Sequence, residues 1–350
     1  MSATSVPPLD ASAARAARER IDQLTKPVGS LGRIEELAER LASIHGDLPP
    51  VYDRRAILLG AGDHGITEEG VSAYPAEVTP QMVGGFLAGF AAINAFARVA
   101  RAQVYVADFG VASALPPHER LIDVNVRRGS RNFARESALH SDEVDHALEA
   151  GRKAFERVRA AHDPEIIAIG EMGIGNSTSA AAMICAFTGA SPEDVAGRGT
   201  GIDDDTLRKK VRVVDDAVAR LDGADWRTIA REVGGYEIVG LAGVILAAAR
   251  KRMPVILDGF IVSAAALLAS AIEPNSIGYC IAAHRSREAG HTIALRYLGL
   301  VPLLDLDLRL GEGSGAALAF PLCEAAARMV REMKTFAEAG VATAHEPLNA

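Results

Sequence analysis

The spacing of apolar positions changes twice along the chain. Over 11–24 and 31–45 they recur every three or four residues, and in the second segment Leu31, Ile34, Leu37, Leu41 and Ile44 fall on one stripe, as in an amphipathic helix. Lys26-Pro27 separates the two, because proline has no N–H to continue a helical ladder. Short β-rich runs then predict strands at 55–60, 103–108, 165–170, 254–258, 277–282 and 301–307, alternating with Ala- and Leu-rich amphipathic segments. That alternation predicts βαβ units: an α/β fold with a Rossmann-like, mostly parallel open sheet and helices on both faces. Over 316–340 the helical spacing returns, with Pro321 a kink, and this helix is expected to pack with the N-terminal pair. The reading divides the chain into N-terminal helices at 1–50, a large α/β domain at 51–315 and a C-terminal helix at 316–350 that joins the first segment in a small helical domain.

The residues that follow the strands carry the chemistry. Run 55–60 leads into Gly62-Asp63-His64-Gly65, run 103–108 ends in Asp108-Phe109-Gly110, and run 165–170 in Gly170-Glu171-Met172-Gly173. Run 254–258 ends in Asp258-Gly259-Phe260, 277–282 leads to His284, and 301–307 leads to Glu312 between Gly311 and Gly313. One such ending is an ordinary turn. Their repetition favours a site, because in an open α/β sheet the ligand crevice lies beyond the carboxyl ends of the strands. Glu312 is the candidate catalytic carboxylate, since glycine flanks let a ligand approach closely; a loop carboxylate capping the next helix is the competing reading.

Gly173-Ile174-Gly175-Asn176-Ser177-Thr178 follows a strand and opens an Ala-rich helix, the arrangement that holds an anion on free amides and the positive end of the helix dipole. It is neither a Walker loop nor a full dinucleotide fingerprint, and a plain helix cap fits it as well. A second turn, Gly197-Arg198-Gly199-Thr200-Gly201, strengthens the phosphate reading. Asp203-Asp204-Asp205 is either a Mg²⁺ site or, the favoured reading, an acidic first helical turn. Lys210, farther along that helix, either reaches toward a carboxylate or phosphate or lies on a solvated face. His64 lacks a second histidine at ligand spacing. Ser286, in the polar run between His284 and His291, is either a ribose or phosphate contact or part of a solvated loop.

Composition narrows the classes. The 350 residues are 49% hydrophobic and 23% charged, with 33 glycines and 5% aromatics, a globular profile. Net charge is −8 with scattered cations, which argues against a nucleic-acid track or a membrane-binding face. Cys185, Cys280 and Cys323 lack zinc or redox spacing and read as buried thiols. The start of the chain has no basic-then-apolar leader, and the apolar run at 238–249 is too short to span a bilayer, so a cytoplasmic protein is expected.

Taken together, the motifs resemble the nicotinate-nucleotide:dimethylbenzimidazole phosphoribosyltransferase family of cobalamin nucleotide-loop assembly. The likeness runs through the whole chain: Leu24-Thr25-Lys26-Pro27-Val28-Gly29-Ser30-Leu31-Gly32-Arg33, Gly62-Asp63-His64-Gly65, Glu69-Gly70-Val71-Ser72-Ala73-Tyr74-Pro75, the turns at 170–176 and 197–201, Asp258-Gly259-Phe260 and Leu308-Arg309-Leu310-Gly311-Glu312-Gly313. Ser177 and Ser314 stand where threonine is expected, and both keep the hydroxyl.

The resemblance implies that Glu312 is a general base and that Glu171 and Lys210 support the nucleotide site. It implies a base pocket using Ser72, Tyr74, Pro75, Gln81, Met82 and Leu310, and a homodimer with a Rossmann-like large domain. The nucleotide and its phosphate are expected on Gly173, Gly175, Asn176, Ser177, Thr178, Gly199, Thr200, Gly201, Asp258, Gly259, Phe260 and Ser286. The substrates would be nicotinate mononucleotide and 5,6-dimethylbenzimidazole, the products α-ribazole phosphate and nicotinate, with no cofactor and no metal. Two rivals are a Mg²⁺-dependent phosphoribosyltransferase using Asp203 to Asp205 and a non-catalytic nucleotide sensor.

Overall fold

The computed structural model describes residues 5–199 and 201–342. In chain order the helices are α1 (Ala11–Gln23), α2 (Arg33–His45), α3 (Val78–Ala88), α4 (Ala92–Ala100), α5 (Ser141–His162), α6 (Asn176–Thr188), α7 (Pro192–Val195), α8 (Asp204–Val218), α9 (Trp226–Val233), α10 (Tyr236–Arg250), α11 (Phe260–Ile272), α12 (Ala289–Leu298), α13 (Ser314–Glu332) and α14 (Phe336–Ala339). The strands are β1 (Arg55–Gly62), β2 (Ala102–Gly110), β3 (Leu121–Asp123), β4 (Ile166–Met172), β5 (Val255–Leu257) and β6 (Cys280–Ala282).

The described residues fall into two compact units, one of 5–7 and 54–320, the other of 8–53 and 321–342. In the smaller unit, Asp10 caps α1 by accepting from the Ser12 and Ala13 N–H groups, each at 2.9 Å. The stripe expected on α2 buries Leu37, Leu41 and Ile44. Buried Glu35 collects Lys26 at 2.8 Å and Arg18 at 3.1 Å. The C-terminal helix is interrupted: α13 stops at Glu332 and α14 starts after Thr335, whose hydroxyl caps it. Pro321 lies inside α13 and does not end it.

In the larger unit the strands form one all-parallel sheet of order β3-β2-β1-β4-β5-β6 flanked by helices. The strand order reverses direction between β1 and β4, which is where doubly wound sheets hold ligands. β1 and β4 are buried along their whole lengths, as expected of strands covered on both faces.

Several expected boundaries move. Run 301–307 is not a strand: Leu304 makes a single parallel bridge to His284, the flanking Val301 and Leu306 are exposed, and Asp307 turns the backbone left-handed at φ 55°. The apolar letters there alternate with Asp305 and Asp307, whose exposed carboxylates pair with Arg285 and Arg287 instead of facing a ladder. The first half of run 277–282 closes a 3₁₀ turn, Pro274–Tyr279. β3 is only three residues long and escaped the reading. Residues 78–100 are long and apolar enough to cross a bilayer by length and composition alone. They fold as α3 and α4, broken after Gly89 at φ 85°, and neither half approaches the ~20 residues a span needs.

Candidate active site

The ends of β4, β5 and β6 and the turns after them open on a cleft of about 440 Å³. A larger hollow of about 710 Å³ lies beside β3 and α5, lined by His146, Glu149, Arg152 and Lys153 among others; none of the expected site residues reaches it.

One wall of the cleft is the turn from β4 into α6. A Cβ on Gly173 would lie 2.4 Å from the Gly62 carbonyl oxygen, so this turn can pass β1 only as glycine. Gly175 takes φ 93° and starts α6, whose first residues Asn176 and Ser177 face the cleft. Thr79 anchors the turn by accepting from the Ile174 N–H at 3.1 Å. Beside it, the second glycine turn brings Arg198 and Gly199 to the lining, and a Cβ on Gly199 would stand 3.1 Å from Ser177 Oγ. Lys210 ties the two turns together, its Nζ donating to Ser177 Oγ at 2.9 Å and to the Gly197 carbonyl at 3.1 Å. This lysine is buried rather than solvated, and burial pulls its ammonium down to about 8 while nearby Glu288 resists the shift.

Glu171 and Glu312 line the same cleft. Burial pushes Glu171 up to about 8, against a hydrogen bond from Asn176 and helped by the charges of Asp258, Glu237 and Glu312. Glu312 is 9% exposed, and burial followed by the Asp258 charge raises it to about 7. Glu171 Oε1 sits 2.5 Å from where a Cβ on Gly311 would stand, so the two acids share one corner. Leu310 and Met82 supply apolar lining beside them. His291 is held neutral, since burial depresses it to about 3 and its Nδ1 accepts from the Ser286 N–H at 3.0 Å.

The acidic triplet after the second turn serves its own helix. Asp203 accepts from the Thr206 N–H at 2.8 Å, Asp204 pairs with Arg198 and Asp205 with Arg208. His64 shares a hydrogen bond of 2.7 Å with buried Glu237, and Asp63 accepts from the Ala112 N–H at 2.8 Å, so this pair braces the turns behind the cleft. Among the described residues no group of three or more His, Cys, Asp or Glu is placed to hold a metal ion.

A phosphoribosyltransferase family model matches residues 6–341. The chain belongs to this phosphoribosyltransferase family. It is 50% identical over 342 residues to the nicotinate-nucleotide–dimethylbenzimidazole phosphoribosyltransferase of Chloroflexus aggregans, covering 97% of this chain and 96% of that protein. The protein of the same name from Desulforamulus reducens is 48% identical over 95% of each chain. The crystal structure of CobT from Thermus thermophilus superposes with a TM-score of 0.92 at 49% identity, covering 95% of this chain and all of that one.

In this phosphoribosyltransferase the cleft brings together Glu312, Glu171, Lys210, Ser72, Tyr74, Met82, Leu310, Gly173, Gly175, Asn176, Ser177, Gly199, Gly259, Phe260 and Ser286. Pro75, in the loop before α3, and Gln81, within α3, are exposed and off its lining. Thr178 is buried inside α6 and off the lining, and Gly201, which closes the second turn, is exposed and off it too. Asp258 is spent on backbone amides rather than on the cleft. Thr200 lies outside the described residues. Sequence reasoning missed Arg309 and Glu288 as lining residues, and it left Arg198 unassigned although two glycines flank it.

Proposed function

We propose that this phosphoribosyltransferase moves the phosphoribosyl group of nicotinate mononucleotide onto 5,6-dimethylbenzimidazole in cobalamin lower-ligand assembly, giving α-ribazole phosphate and nicotinate, with Glu312 as general base. The observation that carries the reading is Glu312 itself: a carboxyl nearly shut off from water, raised to about 7, in a cleft that two glycine turns and Lys210 also line. The relatives' names supply the two substrates.

The chemistry matches those groups. In nicotinate mononucleotide the anomeric carbon bears a pyridinium nitrogen, so breaking that bond returns the electron pair to the ring and releases nicotinate with a neutral ring nitrogen. One benzimidazole nitrogen forms the new bond from the opposite face, which inverts the β-linkage to α. The other nitrogen sheds its proton to Glu312, and a base titrating near the working pH suits that transfer. Such assistance contributes roughly 10²–10⁴-fold, and holding both substrates in one cleft adds more. Lys210, Ser177 and the amino end of α6 are the groups that would grip the phosphate. Glu171, with its raised affinity for a proton, would donate a hydrogen bond at neutral pH.

Glu312→Gln should cut the release of nicotinate by about 10²–10⁴-fold while nicotinate mononucleotide still binds. An unchanged rate overturns the assignment. The assembly is proposed to be a homodimer in the cytoplasm, with neither nucleic acid nor membrane as partner; sedimentation of the purified chain tests the first part.

A further inference from the structure

Glu312 holds a backbone conformation that its side chain disfavours. Its φ is 61°, between Gly311 at 80° and Gly313 at 73°. A glutamate stays left-handed only where its surroundings over-determine the turn. The surroundings here are Asp258, at the end of β5. Its Oδ2 accepts from the Gly313 N–H and its Oδ1 from the Ala316 N–H, each at 3.0 Å. One carboxylate thereby grips the residue after Glu312 and the first turn of α13.

Asp258 is itself seated by His284, whose Nε2 lies 3.6 Å from Asp258 Oδ1. The His284 ring fills the space between two glycines: a Cβ on Gly315 would stand 2.0 Å from Cδ2, and one on Gly259 would stand 3.5 Å from Nε2. Burial pulls this imidazole toward neutrality, but the bond and charge of Asp258 outweigh it and leave His284 above its ordinary value. Both residues are almost fully buried, so neither pairing is a loose surface contact.

We infer that Asp258, seated by His284, is a positioning residue for the transfer, clamping the left-handed turn so that the Glu312 carboxylate faces the reacting nitrogen. This rests on the reading of Glu312 as the base. It replaces the expectation that Asp258 touches the nucleotide. The clamp also has an electrostatic side. The ionisable groups around Glu312 are Asp258 beyond β5, Glu171 in β4, His284 beyond β6 and Arg309 on its own loop. Of these, Asp258 is the one whose charge pushes Glu312 upward.

The test is a set of pH–rate profiles with nicotinate mononucleotide and 5,6-dimethylbenzimidazole. Asp258→Asn keeps the shape, removes the charge and turns an amide NH₂ toward one of two N–H donors. Its kcat should fall about 10- to 100-fold, as for a small misplacement of a reacting group, with KM for the nucleotide unchanged. Removing the negative neighbour should also move the acidic limb to lower pH. Asp258→Glu keeps the charge, so its kcat falls while the limb stays. His284→Gln removes the ring that seats Asp258 between Gly259 and Gly315 and should lower kcat with KM for the nucleotide unchanged, which serves if Asp258→Asn does not fold. Wild-type kcat and limb in Asp258→Asn, or a raised KM at unchanged kcat, overturns the inference, as does wild-type kcat in His284→Gln. Glu312→Gln run alongside separates the two levels: if it keeps full rate, the general-base reading itself falls; if it is inactive while Asp258→Asn is normal, only the clamp falls.

Discussion

Lys210 Nζ donates to Ser177 Oγ at 2.9 Å and to the Gly197 carbonyl at 3.1 Å, so one buried ammonium joins the start of α6 to the turn that precedes α8. A phosphate arriving at the amino end of α6 would meet this cation already oriented. Lys210→Met should therefore raise KM for nicotinate mononucleotide roughly 10- to 100-fold, the size of a lost charged hydrogen bond, with a smaller effect on kcat. Because Lys210 titrates at about 8 in the folded chain against 10.5 ordinarily, nucleotide affinity should weaken above pH 8. Between those two values the unfolded chain binds the extra proton, so ligand-free stability should rise with pH through that window. Kinetics at saturating base and thermal melts from pH 7 to 10.5 check both.

The raised position of Glu312 sets the acidic side of the rate profile. Only the carboxylate accepts a proton, so kcat/KM should fall about tenfold per pH unit below about 7. Stability carries the opposite consequence. A carboxyl that titrates at about 7 when folded and near 4.5 when unfolded favours the fold while protonated, and that favour is lost as pH rises from 4.5 through 7. Glu312→Gln escapes the loss. Its unfolding free energy should exceed that of the parent at pH 8 by on the order of 1–3 kcal/mol, seen as a higher melting temperature, and match it at pH 4.

The left-handed backbone at residue 312 predicts an inversion of the usual ranking of glycine and alanine. Glu312→Gly and Glu312→Ala remove the same carboxylate, and both should be inactive. At φ 61° the glycine variant should be the more stable of the two by about 1 kcal/mol, since only alanine retains the clash of a Cβ in that region. Urea unfolding of the pair measures it; equal midpoints would show that the turn is relaxed.

The acidic triplet gives a separate test. Asp203 caps α8, and its two neighbours pair with Arg198 and Arg208 on the surface. Activity should be undiminished in EDTA, and Asp203→Ala should fray the start of α8 without lowering kcat. A requirement for Mg²⁺ would restore the rival reading.

Much of this site was legible before the fold was known. Strands end in turns, and a parallel sheet delivers all its carboxyl ends to one side, so Glu171 and the glycine turn from Gly173 to Asn176 could be placed near one another from their order alone. Glu312 could be placed there too, although the strand expected to carry it is a single bridge at Leu304. The alternating Leu and Asp letters of that segment cannot tell a ladder from an exposed loop, because only the neighbours decide whether its amides find partners. Lys210 shows the same blindness. Its helix has an ordinary apolar stripe, and no local pattern reveals that the opposite side is covered by the glycine turn.

What the chain determined alone was its alternation of strands and helices, the turns that glycine must occupy, and the set of polar residues delivered to the strand ends, all of which follow from local backbone sterics and hydrophobic spacing. Only the tertiary structure decided that Asp258 faces two backbone amides, that Lys210 loses its water, and that Glu171 and Glu312 share a corner and hold their protons to unusually high pH. Those properties depend on desolvation and on charges brought within a few ångströms by residues distant in sequence, and neither quantity exists until the chain has closed around them.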